Sequence, residues 1–67
     1  MKEFANILKT LRLEKSLSQN QLAKELGVTQ SSIAKWETGE RLPSIEILIE
    51  ISKFFKCSID YLFGLEK

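Results

Sequence analysis

The chain has 67 residues and a formal net charge of +1, and 43% of its residues are hydrophobic. This length suits a single domain over residues 1–67, and the hydrophobic fraction predicts a compact globule rather than a disordered chain. Because there is no histidine and only one cysteine, the composition argues against an intrachain disulfide, a metal site and the commonest forms of acid–base catalysis. We therefore predict a protein that is not an enzyme and that uses no metal or cofactor.

The sequence shows neither a targeting signal nor a membrane span. Its N-terminal residues lack the charged-then-apolar layout of a signal peptide. The most apolar stretch, residues 45–51, is interrupted by Glu46 and Glu50, and this pattern does not fit a transmembrane helix. By elimination, the sequence predicts a cytoplasmic protein.

The first predicted helix covers roughly residues 2–15. Phe4, Leu8 and Leu11 recur at the spacing of one helical face, with Lys15 on the same face and Ile7 beside it. This stripe predicts an amphipathic helix that packs its apolar side against the rest of the domain.

A second, shorter helix is predicted to begin after Ser18. Gln21 follows three residues later, which is the arrangement of a capping box. The apolar stripe of this helix consists of Leu22, Ala23 and Leu26. Ala23 is small, as is required where another helix crosses closely.

A third helix follows after a tight turn at Gly27. Glycine adopts the left-handed backbone conformation that such a turn needs without steric cost. Thr29 is placed to cap the third helix, Gly39 to end it, and Ile33 and Trp36 form its apolar stripe. Two short packed helices around such a turn form a helix-turn-helix, a motif that places its second helix in a DNA groove.

Two further helices complete the pattern. Residues 40–43 end in proline and cannot continue a helix, and Ser44 is placed to cap helix four. The predicted inner stripe of helix four is Leu48, Ile51, Ser52 and Phe55. Lys56 and Cys57 interrupt the helix, Ser58 caps again, and a short fifth helix is anchored by Ile59, Leu62 and Phe63. The sequence thus predicts an all-α, five-helix fold.

These motifs together carry a family resemblance. The pattern L-R-x-x-K-x-L-S-Q-x-x-L-A-x-x-L-G-V-T is followed by I-x-x-W-E-x-G, then P-S, then S-I-D-Y-L. The combination resembles the lambda-repressor-like (Cro/XRE-type) helix-turn-helix regulators over the stretch from Leu8 to about Leu65. The resemblance implies a compact five-helix DNA-binding domain, with helix three in the major groove and a two-fold dimer on a palindromic operator.

Candidate base contacts lie on one arc of helix three, unwound at about 100° per residue. Ile33, Trp36 and Glu37 share the other arc. Glutamine pairs bidentately with adenine, lysine suits the guanine acceptors, and alanine lets the backbone approach the bases. The predicted base-contacting residues are Gln30, Ser31, Ala34 and Lys35. The resemblance separately implies base readout by Gln30, Ser31 and Lys35, whereas the alternative is an ordinary solvated face.

Candidate DNA-backbone contacts surround that arc. Because the net charge is small, affinity must come mainly from directed contacts and helix N-termini. Gln19 begins helix two, where free amides can face a phosphate, and it is also placed to brace Gln30. The predicted backbone-contacting residues are Gln19, Thr29, Thr38 and Arg41.

Glu37 is expected to take part in a structural ion pair. It shares the inward arc of helix three, where an unpartnered carboxylate would be costly. The family pattern pairs this glutamate with Arg12 of helix one, so the resemblance implies a buried Arg12–Glu37 pair. The alternative is two solvated surface charges.

Trp36 and Cys57 each have two readings. Trp36 suits either the core or stacking on single-stranded bases, and its inward arc favours the core. Cys57 suits either an inert half-buried thiol or a redox sensor. A sensor needs a lowered thiol pKa, and only Lys56 is adjacent, so the inert thiol is expected.

The predicted function is sequence-specific binding of double-stranded DNA by a transcriptional repressor that acts as a homodimer on a palindromic operator. The dimer contact is expected at Phe63 and Leu65 together with the loop before helix four. The alternative is an antitoxin or similar helical module that binds a toxin or other protein and regulates its own operator. One stripe of helix four cannot bury all of its apolar side chains, Ile45, Ile47, Ile49 and Phe54, so apolar surface is left for a partner. A dimer interface explains that surface equally well. A restriction–modification control protein would differ only in its target genes.

Overall fold

The computed structural model describes residues 2–66, which form five α-helices. The helices are α1 (Lys2–Glu14), α2 (Gln19–Leu26), α3 (Gln30–Thr38), α4 (Ile45–Phe55) and α5 (Ile59–Leu62). No strand occurs among these residues, so the predicted all-α fold is confirmed. None of the helices within 2–66 has the length and apolar character needed to cross a membrane.

The helix starts follow from the hydroxyl residues that precede them. Ser18 Oγ accepts a hydrogen bond of 3.0 Å from the Gln21 amide, and Gln21 Oε1 accepts one of 2.8 Å from the Ser18 amide. This reciprocal pair is the predicted capping box. Thr29, Ser44 and Ser58 cap α3, α4 and α5 by accepting from the amide three residues on. Each cap satisfies an amide that the helix itself leaves without a partner.

The turn between α2 and α3 depends on the backbone conformation of Gly27. Its φ is +70° and its ψ is 33°, in the left-handed region that side-chain-bearing residues rarely adopt. A Cβ built at this position would meet nothing within 4 Å. Glycine is therefore required here for its conformation and not for space, and it lets α3 leave α2 after only three residues.

The core lies between the helices and fixes α3 from beneath. Its fully buried side chains are Phe4, Leu8, Leu22, Ile33, Ile51 and Leu62. Helix α3 packs on α1 and α2, while α5 packs on α1 and α4. Burial of this apolar surface, at roughly 25 cal/mol per Å², is the main force that holds the five helices together.

The ends of the first and fourth helices show where side chains outside the core pack. Lys15 lies just beyond α1 and places its ammonium 5.5 Å from the centre of the Phe54 ring. On α4, Leu48 and Ile51 are buried as predicted. Ser52 and Phe55 are only half-buried, and the Ser52 hydroxyl donates to the Cys57 carbonyl oxygen at the helix end. The predicted inner stripe is thus tight in its middle and looser toward the C-terminus.

Candidate nucleic-acid interface

Helix α3 has one face in the core and one face in solvent. Ile33 is 0% exposed and Trp36 is 5% exposed, and the Glu37 side chain is 3% exposed. The side chains on the opposite face are exposed or half-buried, and all but Ala34 are polar: Gln30, Ser31 and Thr38 are exposed, and Ala34 and Lys35 are half-buried. The structure therefore brings the five sequence-predicted α3 residues onto one outward surface.

The buried carboxylate of Glu37 meets the guanidinium of Arg12. Arg12 Nε donates to Glu37 Oε2 at 2.7 Å, and Arg12 Nη2 donates to Glu37 Oε1 at 3.0 Å. This bidentate geometry is the strong form of a charged hydrogen-bonded pair. The side chain of Arg12 is 9% exposed. The pair joins α1 to the inner face of α3, so it holds the tilt of α3 relative to the domain.

Arg12 is also held by the turn that follows its own helix. Its third nitrogen, Nη1, donates to the Leu17 carbonyl oxygen at 2.7 Å. Hydrogen bonding to Glu37 raises the pKa of the Arg12 guanidinium, against the opposing effect of burial, and the nearby negative charge adds to the rise. Arg12 therefore stays charged at neutral pH. No buried side-chain nitrogen or oxygen among residues 2–66 lacks a hydrogen-bond partner.

Gln19 links the ion pair to the outward face of α3. Its Nε2 donates to Glu37 Oε1 at 3.1 Å, and its Oε1 accepts from Gln30 Nε2 at 2.6 Å. The sequence placed Gln19 beside Gln30, and the structure contains that contact. The bond from Gln19 to Glu37 was missed by the sequence analysis. The sequence contains one indication of this bond: Gln19 and Glu37 both belong to the motifs that carry the family resemblance.

The other candidate DNA-backbone contacts differ in how free their polar groups are. Arg41 is exposed in the loop after α3. The Thr29 hydroxyl accepts from the Ser32 amide at 3.1 Å and lies 2.9 Å from the Ser32 hydroxyl, so it serves mainly as the cap of α3. The Thr38 hydroxyl donates to the Lys35 carbonyl oxygen at 3.1 Å. A phosphate contact from Thr38 would require this hydroxyl to rotate, whereas Arg41 needs no such change.

Trp36 and Cys57 have environments that do not suit binding or redox chemistry. The Trp36 ring is almost completely buried, so no base can stack on its face. Cys57 is half-buried, and desolvation together with the negative charge of Glu66 raises the pKa of its thiol. A raised pKa lowers the thiolate fraction, which is the reactive form. The structural roles expected for both residues fit these surroundings.

A comparison with known protein families matches most of the chain. A family model described as helix-turn-helix matches residues 8–62. The HTH-type transcriptional activator BcrR of Enterococcus faecalis is 46% identical over 65 residues, which make up 97% of this chain and 32% of that protein. An uncharacterized HTH-type transcriptional regulator of Methanocaldococcus jannaschii is 40% identical over 61 residues, covering 91% of this chain and 92% of that protein. The chain thus spans about a third of the activator's length but nearly all of the second relative.

A solved protein–DNA complex shares the fold. The P22 c2 repressor, in a crystal structure with a synthetic operator, superposes with a TM-score of 0.89 at 30% identity, covering 98% of this chain and 100% of that chain. Because the superposition covers nearly the whole chain, it includes the two helices of the helix-turn-helix.

Proposed function

Because the chain belongs to the helix-turn-helix family of DNA-binding transcriptional regulators, of the Cro/XRE type, we propose that it is a cytoplasmic repressor that binds a palindromic operator as a homodimer. The observation that carries this proposal is the outward polar face of α3. Its opposite face is locked to the core by Ile33 and Trp36 and to α1 by the Glu37 ion pair. A rigidly held helix with an exposed hydrogen-bonding face is suited to major-groove readout.

The proposed base contacts come from the outward face of α3. Gln30 carries an amide that matches the donor and acceptor of adenine, and Lys35 carries a charge that suits the guanine acceptors. Ser31 can donate to or accept from several bases. Ala34 lies between them without a bulky side chain, so the helix backbone can approach the base edges.

The proposed phosphate contacts flank that face. Gln19 lies in the first turn of α2, whose N-terminal amides and dipole favour an anion. Arg41 is exposed beyond the end of α3, and Thr29 and Thr38 lie at the two ends of α3. Contacts of this kind position a protein on DNA but carry no base identity.

A homodimer would double the readout of a helix that covers only a few base pairs. Two recognition helices related by a two-fold axis would lie roughly 34 Å apart, one turn of DNA. Exposed apolar side chains at the proposed contact support it, because Leu65 is 73% exposed and Leu42, in the loop before α4, is 44% exposed. Phe63 contributes less free surface, since its ring stacks on Phe4 at a centroid distance of 5.2 Å.

Repression is the regulatory role that these surfaces support best. Occupancy of an operator that overlaps a promoter blocks transcription without any contact to another protein. The chain also superposes on a repressor in complex with its operator, and this likeness supports a repressor role.

Selection of bound sites from random duplex DNA tests the proposal directly. We expect two inverted half-sites about one helical turn apart, and light scattering or native mass measurement should find two chains on each duplex. A single half-site bound by one chain would contradict the dimer. The sign of regulation is tested by a reporter gene driven from a promoter that carries the selected site, where added protein should lower expression.

A second candidate function is a protein-binding module of the antitoxin kind. It is favoured by Ile45 and Ile49, which are 59% and 41% exposed on the outer side of α4. In that case a second protein should co-purify with the parent chain, and Ile45→Lys with Ile49→Lys should abolish that binding. DNA binding should persist unchanged, because neither residue lies on α3.

The first prediction concerns base readout by Gln30 and Lys35. Replacing either residue by alanine should cost about 1–3 kcal/mol of binding free energy to the selected site and should relax the preference at particular base pairs. The effect arises because a base-edge hydrogen bond is lost while the phosphate contacts remain. Equilibrium titration on the selected site and on random duplex DNA measures both the loss of affinity and the loss of base preference. Equal losses on the two duplexes would show that the side chain reads no base.

The second prediction concerns the phosphate contact of Arg41. Arg41→Ala should weaken binding to every duplex and should lower the salt slope, the dependence of log affinity on log salt concentration, by about one unit. Glu25→Gln, at an exposed position on α2, is a control that should leave the slope almost unchanged. Titrations at several salt concentrations give the slope. If Arg41→Ala has the parental slope, Arg41 makes no phosphate contact.

A further inference from the structure

A continuous hydrogen-bonded chain runs from the buried ion pair to the exposed face of α3. It passes from Arg12 to Glu37, from Glu37 to Gln19 and from Gln19 to Gln30, with donor–acceptor distances between 2.6 and 3.1 Å. Its inner end is almost completely buried, and its outer end, Gln30, is exposed. The two members of the ion pair differ chemically, because the guanidinium only donates and the carboxylate only accepts.

The acceptor-only carboxylate sets the direction of every hydrogen bond further out. Glu37 Oε1 can face only the NH₂ group of Gln19, since the amide oxygen would be repelled. The oxygen of Gln19 must then face outward, so Gln30 must donate its own NH₂ group to it. An amide between two neutral partners could turn over by 180° at little cost, but this chain of bonds removes that freedom.

We infer that Glu37, although it is buried and remote from DNA, is a positioning residue that determines base specificity by fixing which edge of the Gln30 amide faces the groove. With one N–H bound to Gln19, Gln30 presents its oxygen and its second N–H. That pair matches the N6 donor and the N7 acceptor of adenine. Guanine offers two acceptors there, so the fixed oxygen of Gln30 would be repelled by O6.

The inference rests on the proposed function and adds to it which base Gln30 prefers. At the base pair that Gln30 contacts, the parent should prefer adenine over guanine by about 5- to 150-fold, the range expected for one bidentate pair. A Gln30 amide free to turn over could donate both N–H groups toward guanine. Loss of the carboxylate should therefore reduce the adenine-to-guanine ratio without abolishing DNA binding.

The test measures that ratio in variants which break the chain at different points. Glu37→Gln replaces the carboxylate by an amide that can turn over. Arg12→Met with Glu37→Leu removes both charges and so avoids leaving a buried charge without a partner. Gln19→Met cuts the link and leaves the ion pair in place. Glu40→Gln, the same chemical change at an exposed position, is the matched control.

Circular dichroism first shows that each variant is folded. Each variant is then used in selection from random duplex DNA. It is also titrated with four versions of the selected site, which differ only in the base pair that Gln30 contacts. The base pair contacted by Gln30 is identified as the one at which Gln30→Ala loses its base preference. We expect the ratio to fall about tenfold in the variants that break the chain and to stay parental in Glu40→Gln. In a Gln30→Ala background, Gln19→Met should change overall affinity only.

A parental ratio in folded Gln19→Met, or in a folded variant without the carboxylate, would overturn the inference while leaving DNA binding established. A Gln30→Ala variant that keeps every base preference would overturn it as well. Failure of the parent to enrich any site would instead refute the proposed function itself. A purely structural role for Glu37 would lower affinity equally for all four base pairs, so the ratio separates it from the positioning role.

Discussion

Removing either partner of the Arg12–Glu37 pair should lower the free energy of unfolding by about 3–5 kcal/mol. The side chains are 9% and 3% exposed and are joined by two hydrogen bonds. Arg12→Met leaves a buried carboxylate without its counter-charge, and Glu37→Gln leaves a buried guanidinium without one. A domain of this size has a total stability of roughly 3–10 kcal/mol, at about 0.05–0.15 kcal/mol per residue. Either change should therefore unfold much of the population.

Urea denaturation followed by circular dichroism measures this loss. Arg12→Met combined with Glu37→Leu should be far less damaging than either single change, because no buried charge is left unpaired. Glu40→Gln, at an exposed site, should shift stability by less than about 0.5 kcal/mol. A Glu37→Gln variant with the same free energy of unfolding as the parent would show that the pair contributes nothing to stability. The double change would then be no more stable than the single changes.

The Ile33→Ala substitution should cost about 2–5 kcal/mol of stability, because it opens a cavity beneath the recognition helix. Ile33 is 0% exposed and belongs to the core cluster formed with α1 and α2. The neighbouring side chains can collapse only partly into the space, so both the transfer free energy and the packing contacts are lost.

Ile45→Ala is the matched control, because it removes the same atoms from a side chain that is 59% exposed. We expect its effect to stay within about 0.5 kcal/mol. The same urea titrations apply, and the slope with denaturant should be parental in both variants if the denatured state is unchanged. A loss in Ile33→Ala no larger than that in Ile45→Ala would mean that the inner face of α3 does not fix the helix to the core.

The local structure of the chain could be predicted from neighbouring residues. Ser18 and Gln21 indicated the capping box, and Thr29 indicated the start of α3, because a cap requires side chains at fixed short offsets. Gly27 indicated the turn, since only a few residue types tolerate its backbone conformation. The division of α3 into an inner and an outer face followed from helical periodicity alone. The family resemblance supplied the pairing of Arg12 with Glu37.

Contacts between distant segments were decided by the tertiary structure. Periodicity did not indicate that Phe63 stacks on Phe4, or that Gln19 donates to Glu37. Local propensity depends on residues within about one helical turn, whereas these partners lie 18 to 59 positions apart. Their meeting depends on the crossing angles of whole helices, which the packed core sets. Helix caps and helix faces could therefore be predicted from the sequence. The hydrogen-bonded chain that connects Gln30 to the ion pair forms only when α1, α2 and α3 pack together.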